Sequence, residues 1–396
     1  ASTANIDLDK IFRMLLVLVV KAQDTYTVIV SCDGFRWDFP ILYDTPTIDK
    51  MAKKGIQSDM QPSYPASTFP NHYAIATGLY PDHHGIVNNS FWDPDLQLLY
   101  ATGNKETGKD PRFFGGEPIW RTAERQGVKS ATIYWVGSDL NDENGHASYW
   151  YDYGKPLISY EERVEKALEY LQLPEAERPH FIMVYFDEPD RTEHTYGPNS
   201  EETRMAVKKA DDAVGQLLDG IHKLPIADKV NFIVVADHGM ALEDPSRVIN
   251  PDDYLKTEWY EKMVIGIPTS IFTKPAYRET IYNTLKGLPH LSVWKKEEIP
   301  AHLHYGTSNR IGDILVAPDM GWEFRNTPRG GLGAHGYDPT NPYMHAIFRA
   351  VGPAFKQGYI ARQFENVDIY PLICHLLGIE PAPCDGQLDR IKHILK

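Results

Sequence analysis

Long, nearly unbroken apolar runs separated by amphipathic segments dominate the hydrophobic pattern of this chain. The clearest runs, rich in β-branched and aromatic residues, cover 26–31, 180–186 and 231–236. Such runs are typical of strands buried on both faces of a parallel sheet. Two shorter runs predict strands at 130–134 and 345–350. Segments with helical periodicity or helix end signals predict helices at 47–54, 72–79, 117–127, 159–173, 201–224 and 366–377.

This alternation of strands and helices predicts an α/β fold with a mainly parallel central sheet and helices on both faces. The pattern changes between about 250 and 330, where runs at 268–273, 292–296 and 313–317 predict the short strands of an inserted subregion. The chain has no repeats and no linker-like segment. We therefore expect a single catalytic domain over 23–396, with an inserted or cap subregion around 250–330.

The first 22 residues have a pattern of their own. Lys10 and Arg13 precede a short apolar run at 14–20, which ends near the small residue Ala22. This order is typical of a secretory signal peptide. The alternative is an N-terminal extension that contributes one more buried strand. The first interpretation predicts an exported protein, periplasmic or secreted. No segment is long and apolar enough to predict stable membrane insertion.

The composition of the chain indicates a globular protein and argues against some classes of function. The 396 residues are 42% hydrophobic and 24% charged, which is enough for a large core. The formal net charge of −14 argues against a protein that binds a nucleic acid duplex through its phosphates. Of the three cysteines, at most Cys374 and Cys384 could pair, and we expect all three to be free thiols.

Carboxylates and histidines follow the ends of the predicted strands, where open α/β sheets place their ligands. They are Asp33, Asp190, His194, Asp237 and His238, and His335 lies in a glycine-rich loop further along. Aspartate and histidine together suit zinc or another first-row divalent metal. With the Thr68 hydroxyl there are seven candidates, enough for two ions. Two metals form a clamp for in-line displacement at phosphorus.

Thr68 is the candidate nucleophile. It lies on a turn that enters a predicted helix, and the positive helix N-terminus favours an alkoxide or a phosphate. A threonine needs activation, which a metal supplies. His72, four residues later, offers an alternative as a general base, but no G-x-S-x-G motif surrounds Thr68. The remaining histidine pairs are expected to lack carboxylate partners, so we expect structural or surface roles for His83, His84, His302 and His304.

Six segments in order carry a family resemblance: TFPNHY (68–73), GLYPDHHGIV (78–87), EPD (188–190), HTYGP (194–198), ADHGM (236–240) and AHGYD (334–338). They closely resemble the nucleotide pyrophosphatase/phosphodiesterase family of the alkaline phosphatase superfamily. The resemblance implies an alkaline-phosphatase-like sandwich that holds two zinc ions. Asp190, His194 and His335 would hold one ion. Asp33, Asp237 and His238 would hold the other, together with Thr68.

The same resemblance implies roles in substrate binding. Asn89 would hydrogen-bond a phosphoryl oxygen, and Phe69 would form one wall of a pocket that stacks a nucleobase. The opposing aromatic is expected to be Tyr153, with Tyr151 as second choice. Because the cysteine-rich and nuclease-like modules of animal members are missing, the sequence resembles a compact bacterial-type member.

The implied activity is cleavage of phosphodiester or pyrophosphate bonds of nucleotides, through a covalent threonyl intermediate, to give nucleoside monophosphates. The expected partner is a nucleotide or another small phosphodiester. Alternatives are a phosphodiesterase of lysophospholipid or choline phosphoesters and a catalytically inactive nucleotide-binding module. A phosphomonoesterase is disfavoured, since Arg191 is the one cation within the ligand motifs.

Overall fold

The computed structural model of the chain describes residues 24–327 and 329–396. The predicted signal peptide, 1–22, lies outside these residues. The strands are β1 Tyr26–Cys32, β2 Ile56–Gln61, β3 Ser90–Asp93, β4 Leu98–Ala101, β5 Ser130–Ile133, β6 Tyr149–Trp150, β7 Phe181–Phe186, β8 Val230–Val235, β9 Ala241–Leu242, β10 Val248–Ile249, β11 Tyr260–Val264, β12 Thr269–Thr273, β13 Leu291–Lys295, β14 Ile314–Pro318, β15 Glu323–Phe324, β16 Gly333–Ala334, β17 Ala346–Val351, β18 Tyr359–Ile360 and β19 Phe364–Glu365. The α-helices are α1 Phe39–Leu42, α2 Pro46–Lys54, α3 Thr68–Thr77, α4 Pro81–His84, α5 Ile119–Arg125, α6 Tyr160–Leu171, α7 Asp190–Tyr196, α8 Glu201–His222, α9 Arg278–Lys286 and α10 Ile369–Leu377.

A central nine-stranded sheet organises the molecule. Its order is β18-β2-β17-β8-β1-β7-β5-β6, with β19 also paired to β2. In the middle, β1 runs parallel to both β7 and β8, and every residue of these three strands is buried. The antiparallel strand β17 lies between β8 and β2. The predicted α/β fold with a mainly parallel sheet is confirmed.

Two groups of helices pack on this sheet. In the first group, α8 contacts both α2 and α6, and in the second, α10 contacts both α3 and α5. Because no residue of β1 is exposed, both faces of the sheet are covered. Helix α3 begins at Thr68, four residues earlier than predicted, and ends at Thr77, where the capping residue Gly78 adopts a positive φ of 68°.

The region around 250–330 contains a second, antiparallel sheet of four strands in the order β11-β12-β14-β13. Helix α9 packs on β13, and apolar side chains between them form a separate core that includes Ile271, Ile281 and Leu285. The sequence pattern did not predict β11 or α9. The domain boundaries at 23–396 and 250–330 stay predictions.

Strand β2 of the central sheet was also not predicted. Its residues alternate between buried and half-buried positions, and most of them are polar. Pairing with β17 on one side and with β18 and β19 on the other selects the extended conformation. Tertiary pairing therefore overrides a weak local preference for a strand.

Two simpler expectations concern cysteines and membrane spans. Cys32, Cys374 and Cys384 are free thiols, as expected. Within the described ranges, no helix has both the length and the apolar character that crossing a bilayer requires.

Candidate metal centre and active site

The candidate ligands meet at the carboxyl edge of the central sheet. Asp33 directly follows β1, and the pair Asp237 and His238 follows β8. The neighbouring strand β7 leads into helix α7, which carries Asp190 and His194 on adjacent turns. Because β1 pairs with both β7 and β8, the sheet brings these three segments side by side.

One group of ligands consists of Asp190, His194 and His335. The His194 Nε2 atom lies 3.3 Å from Asp190 Oδ1. The His335 Nε2 atom lies 3.1 Å from His194 Nε2 and 3.6 Å from Asp190 Oδ1. Three ligand atoms, one from each residue, are therefore close enough together to bind a single ion.

A second group surrounds His238. The His238 Nε2 atom lies 3.0 Å from Asp237 Oδ2 and 3.4 Å from Asp33 Oδ1. The Thr68 hydroxyl is 3.2 Å from the same nitrogen. The second group adjoins the first, since His238 Nε2 is also 3.8 Å from Asp190 Oδ1. The structure thus brings all seven predicted ligands together.

The three histidines share one orientation. Each places Nδ1 at hydrogen-bond distance from a backbone carbonyl, those of Gly333, Ala66 and Gly239 respectively for His194, His335 and His238. A neutral imidazole that donates Nδ1–H to a carbonyl presents the lone pair of Nε2. Metal-binding histidines are held in the same way. All three Nε2 atoms point into the shared centre.

The carboxylates also fit a metal centre. Asp33 Oδ1, Asp190 Oδ1 and Asp237 Oδ2 are buried without a hydrogen-bond partner among the described residues. A buried anionic oxygen without a partner is costly unless a cation neutralises it. Carboxylate oxygens with imidazole nitrogens form the donor set that zinc and other first-row divalent ions prefer. The residues present therefore fit a divalent metal centre.

Charge in the centre is distributed unevenly. Burial raises the pKa of Asp33 well above its usual range, and the neighbouring Asp190 and Asp237 raise it further. Burial opposes ionisation of Asp237 as well, but His238 and His72 hold the pKa of Asp237 below its usual range. Burial and the neighbouring His238 lower the pKa of His335, which keeps that imidazole neutral for metal binding.

His72 lies beside the second group but makes other contacts. Its Nε2 lies 2.8 Å from the Ser31 hydroxyl, and its Nδ1 lies 2.9 Å from the Thr68 carbonyl. The Nδ1 atom is also 3.4 Å from Asp237 Oδ2. Since Nδ1 contacts the Thr68 carbonyl, His72 anchors the first turn of α3. These contacts do not support the alternative role of His72 as general base.

The Thr68 side chain opens into a cavity of about 650 Å³. Phe69 and Asn89 also line this cavity. The Phe69 backbone N–H donates a 3.0 Å hydrogen bond to Asn89 Oδ1. Because that oxygen is occupied, the Asn89 amide nitrogen is the part of the side chain that can donate to a ligand.

Tyr151 and Tyr153 do not line this cavity. Their rings pack edge-on around Tyr134, with centroids 6.0 Å and 5.2 Å from it. The wall formed by the inserted subregion is instead made by residues 265–267. The stacking roles of Phe69, Tyr153 and Tyr151 stay predictions.

Sequence reasoning missed two residues of the site. The Tyr185 hydroxyl donates a 2.6 Å hydrogen bond to Asp33 Oδ2. A tyrosine within a buried strand needs a hydrogen-bond partner, which is a signal that could have found Tyr185. Arg329, at the start of the glycine-rich loop, lines the cavity, and no signal in the sequence distinguished it from a surface arginine.

The remaining histidines are structural or lie at the surface, but the expectation that they lack carboxylate partners was wrong. His83 and His302 do have carboxylate partners, Asp385 at 2.7 Å and Asp338 at 2.9 Å. These partners are distant in sequence, so the local pattern could not indicate them. His84 is buried against the Pro70 carbonyl, at 2.9 Å from Nε2.

Comparison with known proteins identifies the family. Residues 27–338 match the family described as type I phosphodiesterase/nucleotide pyrophosphatase. The chain belongs to this family. The family resemblance inferred from the sequence motifs is therefore confirmed.

Individual relatives of this chain include two long curated proteins. Human ectonucleotide pyrophosphatase/phosphodiesterase family member 1 is 36% identical over 388 residues, which cover 93% of this chain and 42% of the human protein. Venom phosphodiesterase 2 of Crotalus adamanteus is 35% identical over 386 residues, which cover 93% of this chain and 47% of the venom protein. The chain spans less than half the length of these relatives.

A similar solved structure is the murine ectonucleotide pyrophosphatase/phosphodiesterase 5, an inactive threonine-to-alanine variant in complex with AMP. It has a TM-score of 0.89 and 32% sequence identity, and the match covers 94% of this chain and 100% of the murine chain. The human ectonucleotide pyrophosphatase/phosphodiesterase 5 structure also has a TM-score of 0.89, with 31% identity. The architecture of this chain is thus that of solved members of its family.

Proposed function

We propose that this chain hydrolyses phosphodiester or pyrophosphate bonds of nucleotides to release nucleoside monophosphates. The observation that carries the proposal is the position of Thr68. Its hydroxyl lies 3.2 Å from His238 Nε2, at the first residue of α3, beside the two groups of candidate metal ligands. A hydroxyl at a helix N-terminus, beside residues that would hold divalent cations, is arranged to attack phosphorus.

Two metal sites are part of the proposal. Asp190, His194 and His335 would hold one ion, while Asp33, Asp237 and His238 would hold the other with Thr68. Two zinc or other first-row divalent ions at these ligands would supply Lewis-acid activation of the nucleophile and stabilise charge on phosphoryl oxygens. The unpartnered buried carboxylate oxygens support this assignment.

In the proposed reaction, Thr68 acts as the nucleophile and Asn89 binds the phosphoryl group. As the bond from Thr68 Oγ1 to phosphorus forms, the bond from phosphorus to the leaving oxygen breaks, which leaves a threonyl-phosphoryl ester. Water cleaves that ester, regenerates the hydroxyl and releases the nucleoside monophosphate. Asn89 would donate its amide N–H to a non-bridging phosphoryl oxygen, because its Oδ1 already accepts from the Phe69 N–H.

The choice of a nucleotide substrate rests on similarity to named proteins and on the cavity. The murine relative is solved in complex with AMP, and the curated relatives carry nucleotide pyrophosphatase and phosphodiesterase names. Phe69 lies next to the nucleophile on the cavity wall, where its ring could stack on a base. We retain Tyr153, and after it Tyr151, as candidates for a second aromatic contact.

We also propose that the protein acts outside the cytoplasm. The signal-like pattern at 1–22 supports export, and the names of the relatives describe ectoenzymes and venom proteins. A fusion of residues 1–40 to a reporter enzyme that is active only after export tests the proposal. Reporter activity is expected, and reporter retained inside the cell with its N-terminus intact would contradict it.

The catalytic proposal is tested by replacing Thr68 with alanine and with serine. Thr68→Ala is expected to retain bound metal but lose about 10³-fold or more in kcat on a nucleoside triphosphate, because the covalent step is lost. Thr68→Ser keeps a hydroxyl and is expected to retain partial activity. A matched control is Thr77→Ala, at the last residue of the same helix, where the hydroxyl bonds to the Tyr73 carbonyl.

A substrate panel separates the alternatives in the same experiment. It contains a nucleoside triphosphate, an aryl ester of a nucleoside monophosphate, an aryl phosphomonoester and a lysophospholipid. Preference for the lysophospholipid would contradict the nucleotide assignment. No turnover of any substrate by the metal-loaded wild type would favour the inactive nucleotide-binding alternative. Wild-type activity in Thr68→Ala would remove Thr68 as nucleophile.

A further inference from the structure

One cationic side chain faces the proposed catalytic cavity. Among the described residues that line it, Arg329 is the single lysine or arginine. The loop that carries Arg329 is tied to helix α7, because the Leu332 N–H donates a 3.1 Å hydrogen bond to the His194 carbonyl. A Cβ atom added to Gly331 would lie 2.1 Å from the same carbonyl oxygen, so this close approach requires glycine. Arg329 is therefore held on the side of the cavity that carries His194.

A buried carboxylate fixes the guanidinium of Arg329. Glu323, on β15, is 1% exposed, and its Oε1 lies 3.0 Å from an Arg329 terminal nitrogen. Arg325 lies 3.4 Å from the same oxygen, so Glu323 keeps a cationic partner without Arg329. The Arg329 side chain remains 29% exposed. Since a guanidinium carries five N–H donors, those not used by Glu323 can bind a ligand.

The direction of in-line displacement at phosphorus indicates which part of the substrate lies near the charge of Arg329. Thr68 belongs to the group formed by Asp33, Asp237 and His238. In-line attack sends the leaving oxygen away from Thr68 and toward the other ligand group, which includes His194. Arg329 lies on the side of the cavity that carries this group, the one formed by Asp190, His194 and His335. Its charge therefore acts on the leaving group rather than on the nucleoside monophosphate that is transferred to Thr68.

We propose that Arg329 is a specificity-determining residue that binds the anionic leaving group of phosphoanhydride substrates, and that Glu323 is its positioning residue. The proposal rests on the proposed hydrolysis of nucleotides and names the substrate class within it. Pyrophosphate and phosphate leaving groups carry charge before the bond breaks and match the guanidinium fork. The aryl group that leaves from an aryl phosphodiester carries no such charge in the ground state. Arg329 favours anhydrides over aryl diesters.

The test compares two substrates with the same nucleoside, thymidine 5′-triphosphate and the 4-nitrophenyl ester of thymidine 5′-monophosphate. The measured quantity is the ratio of their kcat/KM values. Arg329→Ala is expected to lower the ratio of anhydride to aryl ester at least tenfold, with a rise in KM for the triphosphate. Arg329→Lys keeps the positive charge but loses the forked guanidinium. Its ratio is expected to lie between those of the wild type and Arg329→Ala.

Two further variants separate binding from structure. Arg191→Ala is the matched control, since Arg191 lies on the same helix as His194 but is 79% exposed and does not line the cavity. Its ratio is expected to equal that of the wild type. Glu323→Gln is expected to lower the ratio less than Arg329→Ala, because the arginine charge stays while its anchor weakens. Melting temperature and metal content accompany each measurement.

The outcomes are distinct. A ratio that Arg329→Ala leaves unchanged, with the wild type active on both substrates, would overturn the proposal and leave the proposed function intact. Equal losses on both substrates, with lowered metal content, would show that Arg329 only supports the His194 loop, which also overturns the proposal. If the metal-loaded wild type cleaves neither substrate, the proposed function fails and this inference fails with it.

Discussion

The Tyr185 hydroxyl donates a 2.6 Å hydrogen bond to Asp33 Oδ2, while Asp33 Oδ1 has no hydrogen-bond partner among the described residues. The bond crosses between neighbouring strands, since Tyr185 is paired in register with Ser31, two residues before Asp33. It fixes which carboxylate oxygen faces the ligand cluster. The side chain that orients Asp33 thus comes from β7, the neighbouring strand that leads into the helix carrying Asp190 and His194.

Removal of that bond predicts weaker metal binding. Tyr185→Phe is expected to lower affinity for the ion at Asp33 about 10–100-fold, the range for partners that orient metal ligands. Competition with a chromophoric chelator measures this affinity. Tyr160→Phe is the matched control, because its hydroxyl bonds to Asp187, which is not a proposed ligand. Unchanged affinity in Tyr185→Phe would contradict the orienting role.

Chelation is expected to destabilise the fold. Ions that bind only the folded state add about 2.7 kcal/mol each at a concentration of 100 times Kd. Removing them also leaves the carboxylates of Asp33, Asp190 and Asp237 close together without compensation. The melting temperature should fall on chelation and return when zinc is restored.

The variant Asp190→Asn is expected to affect the chelated and the metal-loaded protein in opposite directions. Asp190→Asn removes one of the buried charges that repel each other without metal. It is expected to raise the melting temperature of the chelated protein and to lower that of the metal-loaded protein. A parallel change in both states would argue against a metal role for Asp190.

The proposed stacking role of Phe69 predicts a selective loss. Phe69→Ala is expected to remove about 1–3 kcal/mol of binding from nucleotide substrates, the range for one base–aromatic contact. Bis(4-nitrophenyl) phosphate, which has no nucleobase, should lose much less. The comparison of kcat/KM for the two substrates measures the effect. Equal losses would mean that Phe69 only shapes the turn at Thr68.

A pair of buried glutamates predicts a dependence of stability on pH. Burial and a hydrogen bond with Glu323 raise the pKa of Glu243 to about 8, from an ordinary value of 4.5. As pH rises through 4.5 the unfolded chain releases this proton, whereas the folded protein keeps it until about pH 8. The unfolded state then binds fewer protons, so the contribution of Glu243 to stability falls across this window and levels above it.

Glu243→Gln removes this titration and keeps a hydrogen-bond donor toward Glu323. Its melting temperature relative to wild type is expected to rise between about pH 5 and pH 8 and then to stay constant. Glu261→Gln, at an exposed position of β11, serves as the control. A difference that does not vary with pH would contradict the raised pKa.

The fold and the ligand cluster could be predicted because their signals are local. Buried strands carry continuous apolar runs, and the residues that end them are aspartates and histidines, so Asp33, Asp237 and His238 were found from sequence. Helix α3 was placed too late because its first turn contains Pro70, which local rules treat as preceding a helix. Strand β2 was missed because pairing, rather than composition, determines it.

The rest of the site could not be predicted because it depends on distant contacts. The bond between Tyr185 and Asp33 requires knowledge of which strands are neighbours. The place of Arg329 in the cavity depends on Glu323 and on the close approach of the glycine loop to His194. Tyr153 and Tyr151 were expected at the site from the family resemblance alone, and their rings pack around Tyr134.

Asp33 and Asp237 occupy equivalent positions, since Ser31 is paired with Val235 and each aspartate follows its paired residue by two places. Adjacent strands lie about 4.8 Å apart, a spacing that backbone hydrogen bonds impose. The pairing of β1 with β8 therefore sets the distance between these two carboxylates, and the sequences of the loops do not. The glycine-rich loop and the inserted subregion can therefore be changed to suit other leaving groups without altering the distance between Asp33 and Asp237. A one-residue deletion within β1, by contrast, would turn Asp33 to the opposite face of the sheet.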